Sequence, residues 1–289
     1  MKTTPGLLDR RVSKLNKSIT PCLYGAHVRA NGIRQHYLRF GGRGKPLIII
    51  PGITSPAATW AFVGERLGTV FDTYVLDLRG RGLSEAGDNL LYDLDTCAAD
   101  VAQFAIALGL QSYDVLGHSL GARIAARLAS QPGSPVEALI LADPPLSGPG
   151  RRPYGRGLEF YISSIREAQR GMLDVEAVRK TYPSWTEPNL RARSEWLHTC
   201  DETAIAQSVA GFQQEEIQSD FHRLRAATLL LVAERGGVIM QDDVDELIGL
   251  MPSLHVRSIN TSHMIPFDDL EGFLDVVLDF LQGSGRAGR

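Results

Sequence analysis

At 289 residues the chain is long enough to bury a core without disulfide or metal support, and its composition, 44% hydrophobic and 22% charged, is that of a globular protein. A formal net charge of −3 gives no electrostatic footprint for nucleic acid or an anionic membrane surface. Three widely spaced cysteines, Cys22, Cys97 and Cys200, exclude a disulfide scaffold and fit a reducing compartment, so a cytoplasmic address is expected.

Residues 1–24 carry basic side chains with no apolar stretch behind them, which is not the pattern of a secretory signal. They read as an extension lying on the surface or on a partner subunit, which leaves room for a homo-oligomer. No run reaches the roughly 18 apolar residues of a membrane span. Residues 33–40 alternate in polarity and precede the turn Gly41-Gly42-Arg43-Gly44, as an early antiparallel strand would. Residues 47–50, Leu-Ile-Ile-Ile, are continuously apolar, as in a strand buried on both faces. Further strands are expected at 73–78, 113–116, 138–142, 228–232 and 255–259. Amphipathic helices separate them: Leu94, Cys97, Ala98, Val101, Phe104, Ala105 and Leu108 form one apolar stripe, and Leu270, Phe273, Leu274, Val277, Leu278 and Leu281 another. The alternation predicts an α/β fold with a mostly parallel sheet flanked by helices.

One segment interrupts it. About 80 residues, 146–224, carry no strand signal, only helical stretches between Gly and Pro clusters. They are expected to form a helical cap inserted into a core made of 25–145 and 225–283, over the sheet edge where open α/β sheets bind ligands. Residues 284–289 read as a flexible tail.

Gly117-His118-Ser119-Leu120-Gly121 follows a predicted strand and opens a helical run, the context of the nucleophile elbow of the α/β-hydrolase fold. Ser119 is the expected nucleophile: the glycines let a strained turn pack closely, and the following helix directs free N–H groups at a developing oxyanion. A serine needs a base, and in this fold the chain order is Ser, acid, His. Of the histidines after Ser119, His198 and His222 fall in the insertion and His255 in a strand. His263 lies in the loop between the last strand and the last helix, which makes it the expected base. Two carboxylates end strands at the same edge, Asp143 and Glu234, and the pattern alone does not choose between them. Leu120 N–H would supply half of an oxyanion hole. The loop Pro51-Gly52-Ile53-Thr54 would supply the rest through Ile53, although this fold usually opens that loop with His-Gly. Asp77-Leu78-Arg79-Gly80-Arg81-Gly82-Leu83-Ser84 reads as structural, with turning glycines and pinning charges. No dinucleotide fingerprint follows a strand, Pro46 spoils Gly44-Lys45 as a phosphate loop, and no Cys/His set has metal spacing, so no cofactor and no metal are expected.

A closer resemblance rests on Pro51-Gly52-Ile53-Thr54-Ser55-Pro56, on Phe71-Asp72-Thr73-Tyr74-Val75-Leu76-Asp77, on Asp143-Pro144-Pro145-Leu146-Ser147-Gly148-Pro149-Gly150-Arg151-Arg152, and on Glu195-Trp196-Leu197-His198-Thr199-Cys200. From about Val28 to the last helix the chain resembles the N-formylmaleamate deformylases, α/β-hydrolases of bacterial nicotinate degradation. The resemblance implies an eight-stranded sheet and the triad Ser119, Asp143 and His263. Glu234 departs from the family pattern, which has a small residue there. The implied reaction cleaves a small carboxylated amide, N-formylmaleamate, to maleamate and formate. Its carboxylate needs cationic partners in a dry pocket, and Arg151, Arg152 and His198 are the candidates. A carboxylesterase or C–C bond hydrolase with the same triad is the alternative enzyme, and a non-catalytic ligand receptor the alternative class.

Overall fold

The computed structural model describes residues 19–283, so the tail expected at 284–289 and residues 1–18 of the expected extension lie outside the described residues. Eight strands form one sheet: β1 (Cys22–Ala30), β2 (Ile33–Phe40), β3 (Pro46–Ile50), β4 (Asp72–Leu76), β5 (Tyr113–His118), β6 (Val136–Ala142), β7 (Ala227–Ala233) and β8 (His255–Ile259). Their order across the sheet is β1-β2-β4-β3-β5-β6-β7-β8. Strand β2 runs antiparallel to β1 and β4, and the remaining neighbours are parallel. This is the mostly parallel α/β sheet that the alternating pattern predicts.

The strands of the sheet centre are apolar throughout because both faces are covered. Along β3, Ile48 and Ile50 enter one core cluster while Leu47 and Ile49 enter the other, as the period of two requires. All four are fully buried, each contributing about 2 kcal/mol of transfer free energy. Helices α2 (Leu94–Ala107) and α3 (Leu120–Ala129) cover the first face, and α1 (Ala61–Leu67) and α10 (Leu270–Gln282) the second. The stripes expected on α2 and α10 are buried except at their ends, where Leu108, just past α2, and Leu270 are half-buried; Asp93 and Asp269 cap the two helix starts by accepting from Thr96 and Gly272 N–H.

Several boundaries differ from expectation by a few residues, and two of the differences have a clear physical cause. Residues 22–24 belong to β1 and not to an extension. Most of this edge strand is exposed, so it has no apolar alternation to read. Strand β4 stops at Leu76 and not at 78, because Asp77 turns inward. Its carboxylate accepts from Ala57 N–H at 2.5 Å and Leu83 N–H at 3.1 Å and lies 2.6 Å from His36 Nδ1. Gly82, at φ 60°, passes so close that a Cβ there would meet the Asp77 carboxyl at 2.2 Å. Arg79 is bidentate to buried Asp100 at 2.6 and 2.5 Å, and Arg81 Nε donates to the Ile53 carbonyl at 3.0 Å. The loop of residues 77–84 therefore braces the loop after β3.

Helices α4 (Leu158–Gln169), α5 (Val175–Thr181), α6 (Glu187–Trp196) and α7 (Glu202–Gln214) all lie between β6 and β7. Arginines from the sheet side tie this segment down: Arg81 Nη2 donates to Ser208 Oγ at 2.7 Å, Arg123 Nη2 to the Glu215 carbonyl at 2.7 Å, and Arg127 Nε reaches Asp220 at 2.9 Å. Helices α8 (Gln241–Leu250) and α9 (Ile265–Asp268) complete the described chain. Among the described residues no helix is long and apolar enough to cross a membrane.

Candidate active site

The parallel strands end at one edge, and the loops leaving β3, β5, β6 and β8 meet there. Ser119, immediately after β5, sits at φ 54° and ψ −118°, a conformation that costs an L-residue about 1–3 kcal/mol. The surroundings hold it: its N–H donates to the Ala142 carbonyl at 2.9 Å, and its carbonyl accepts from Ala122 and Arg123 N–H at 3.0 and 3.2 Å. Both flanking glycines are required. A Cβ at Gly121 would lie 1.9 Å from the Ile50 carbonyl oxygen, and one at Gly117 would lie 2.3 Å from the Gly121 carbonyl oxygen.

Three side chains from distant parts of the chain converge. His263 Nε2 is 3.0 Å from Ser119 Oγ, and His263 Nδ1 is 2.6 Å from Asp143 Oδ2. A carboxylate only accepts, so Nδ1 carries the proton and Nε2 presents its lone pair to the serine hydroxyl. Asp143 is fully buried, with Oδ1 accepting from Ala233 N–H at 3.2 Å, and its backbone at φ 48° turns the side chain toward β8. Glu234 is exposed and makes its backbone bond to the Ile259 carbonyl. Of the two strand-end carboxylates, only Asp143 reaches the imidazole.

His118 is also built into this geometry. Its Nε2 lies 2.9 Å from the His263 carbonyl oxygen and its ring packs against Trp60 and His263. Burial, and secondarily the neighbouring His263, push its pKa down to about 3, so it is neutral under ordinary conditions. The phenols of Tyr154 and Tyr161, 3.3 Å apart, are raised by burial and stay protonated.

Above the serine lies a cavity of about 250 Å³ whose lining includes Ile53, Thr54, Ser119, Tyr154, Tyr182, Arg193 and His263. A second cavity of about 520 Å³ shares Tyr154, Arg156 and His263 with it. Ile53 N–H and Leu120 N–H, the two expected oxyanion donors, are engaged by no turn, loop or side-chain bond among the described residues. Also among those residues, no cluster of three His, Cys, Asp or Glu side chains is placed to hold a metal ion.

The structure places the three expected carboxylate partners in ion pairs or away from the cavity over Ser119. Arg151 is bidentate to Glu246 at 2.8 and 2.7 Å, so its charge is already neutralised. Arg152 pairs with Asp243 at 2.5 Å and reaches only the second cavity. His198 is exposed in the turn after α6 and lines neither cavity. The arginines that line the cavity over Ser119 are Arg156, Arg193 and Arg235. Arg193 left a trace in the sequence: with Leu190 and Leu197 it shares one helical face, where a charge on an apolar stripe calls for a partner.

Residues 45–270 match a family model described as the alpha/beta hydrolase fold. N-formylmaleamate deformylase of Pseudomonas putida is 52% identical over 258 residues, covering 89% of this chain and 96% of that protein. A crystal structure of an N-formylmaleamic acid deformylase from another strain of that species superposes with a TM-score of 0.84 at 47% identity, over 88% of this chain and all of that one. The structure of E-2-(acetamidomethylene)succinate hydrolase shares the fold at a TM-score of 0.73 and 21% identity, over 90% of this chain and 100% of that one.

Proposed function

Because the chain belongs to the α/β-hydrolase fold family, we propose that it is a serine hydrolase acting on a linear amide, cleaving the formyl C–N bond of N-formylmaleamate to maleamate and formate. The observation that carries this reading is the Asp143–His263–Ser119 relay at 2.6 and 3.0 Å, in a chain half identical to a deformylase along nearly its whole length.

Ser119 Oγ attacks the formyl carbon, the less hindered of the two carbonyls, while its proton passes to His263 Nε2. The carbonyl oxygen becomes an oxyanion held by Ile53 and Leu120 N–H. Each such donor contributes about 3 kcal/mol in related chemistry. Asp143 fixes the imidazole tautomer and stabilises the imidazolium. His263 then gives its proton to the departing nitrogen, whose remaining carbonyl delocalises the developing charge, and maleamate leaves. Water, deprotonated by His263, attacks the formyl ester on Ser119, and formate departs with the serine restored. The helices between β6 and β7 act as a cap that keeps bulk water from the ester until the amide has left. Cytoplasmic work on a small metabolite fits the unpaired state of Cys22, Cys97 and Cys200.

Formate release from N-formylmaleamate, set against turnover of a short p-nitrophenyl ester, tests the proposal. A strong preference for the amide, abolished by Ser119→Ala, is expected. A preference for the ester would assign the site to a carboxylesterase, and turnover of neither would remove the hydrolase reading.

A further inference from the structure

Three arginines line the cavity over Ser119, and their environments differ. Arg156 is exposed and lies over the Phe160 ring at 4.2 Å. Arg235 is exposed and donates to Asn260 Oδ1 and O at 2.8 and 3.0 Å. Arg193 is only 8% exposed, yet it takes part in no ion pair among the described residues. Its bonds go to Thr54: Nη1 donates to the backbone carbonyl, and Nη2 to Oγ1 at 3.1 Å.

A guanidinium has five N–H donors, so about three remain after Thr54 is served. A buried cation without a counter-ion is costly, and an anion arriving in the cavity would relieve that cost. Arg81 and Arg123 are also buried without a carboxylate, but their donors are taken by backbone carbonyls and Ser208, and neither lines the cavity. The position is also suited to the substrate. Thr54 follows Ile53 directly, so at most about 7 Å of chain separates the oxyanion donor from the carbonyl that Arg193 grips. The hydroxyl-bearing residues Ser55, Thr181 and Tyr182 line the same cavity and add neutral donors.

We infer that Arg193 is the carboxylate anchor of this site, holding the acid end of a short dicarboxylic-acid monoamide while the acyl group to be cleaved lies at Ser119. The inference rests on the deformylase reading for the identity of the substrate, and not for the existence of an anion site.

The test compares wild type, Arg193→Gln and Arg193→Lys on N-formylmaleamate and on its neutral methyl ester. For Arg193→Gln, kcat/KM should fall roughly 100- to 1000-fold on the acid but only about tenfold on the methyl ester, where the grip on Thr54 alone is lost and the remaining turnover reports that the variant is folded. Arg193→Lys should recover part of the loss on the acid only. Equal losses on both substrates would make Arg193 a mere brace for Thr54 and overturn the inference. If the wild type does not release formate, maleate inhibition of p-nitrophenyl ester hydrolysis decides separately. Competitive inhibition that disappears in Arg193→Gln supports the anchor without the deformylase, and inhibition that is absent or unchanged overturns it.

Discussion

His118 Nε2 meets the backbone carbonyl of His263 at 2.9 Å, so the residue before Ser119 holds His263 by its main chain. A carbonyl only accepts, which puts the His118 proton on Nε2 and leaves Nδ1 as a bare acceptor. That atom is buried and has no partner among the described residues. The bond positions His263 without touching its ring nitrogens. His118→Phe keeps an aromatic ring between Trp60 and His263 but removes the donor, and kcat should fall about tenfold with KM unchanged. Steady-state kinetics on N-formylmaleamate measure this, and an unaltered kcat would show that the loop holds His263 without help.

The same residue sets part of the acid response of the fold. Its pKa is about 3 in the folded protein, where burial disfavours the charged ring, against an ordinary value of 6.5 in the unfolded chain. Below 6.5 the unfolded state therefore binds a proton that the native state refuses. The contribution to stability is complete above pH 6.5 and declines as pH falls toward about 3, with a limiting slope of about 1.4 kcal/mol per pH unit. Urea midpoints measured between pH 7 and pH 4 should drop less steeply for His118→Phe than for wild type. Parallel curves would contradict the assignment.

The two strand-end carboxylates make opposite predictions. Asp143→Asn leaves the packing intact but removes the acceptor that fixes the His263 tautomer, so kcat should fall by about four orders of magnitude, as in serine proteases. Glu234→Gln changes an exposed side chain and should leave kcat within twofold, about 0.5 kcal/mol or less. Rate measurements on the two purified variants separate them.

Gly236 passes Asp143 so closely that a Cβ would lie 2.8 Å from Asp143 Oδ2 and 2.9 Å from Ala233 Cβ. Gly236→Ala should displace the carboxylate, lowering kcat while costing about 1–3 kcal/mol of stability. Gly249→Ala is the contrast. It lies on α8 with nothing within 4 Å of the added methyl, and it should stabilise by about 0.5–1 kcal/mol without touching kcat. Thermal melts and rates on both proteins check the pair.

What the sequence disclosed follows from how local each signal is. Strands buried on both faces, such as residues 47–50, are apolar runs that can be read directly, and the elbow around Ser119 carries its glycines within five residues. The identity of the acid was not local. Asp143 and Glu234 both end strands, and what separates them is a backbone turn at φ 48° and the exposure of the other. Edge strand β1 gave no alternation because few of its residues are covered. The basic pair Arg151 and Arg152 drew attention as a cluster, but its acids, Glu246 and Asp243, lie more than ninety residues away on α8. Arg193 was marked only by being a charge on an apolar face, and what it faces comes from the loop after β3.

Hydrolysis by the proposed route places a formyl group on one serine. Rapid quenching of the enzyme with N-formylmaleamate, followed by mass analysis of its peptides, reads this directly. The expected result is a burst of maleamate and a peptide bearing one formyl group on Ser119, absent in Ser119→Ala. A maleamyl adduct, a label on another residue, or steady turnover with no burst and no adduct at any quench time would contradict it.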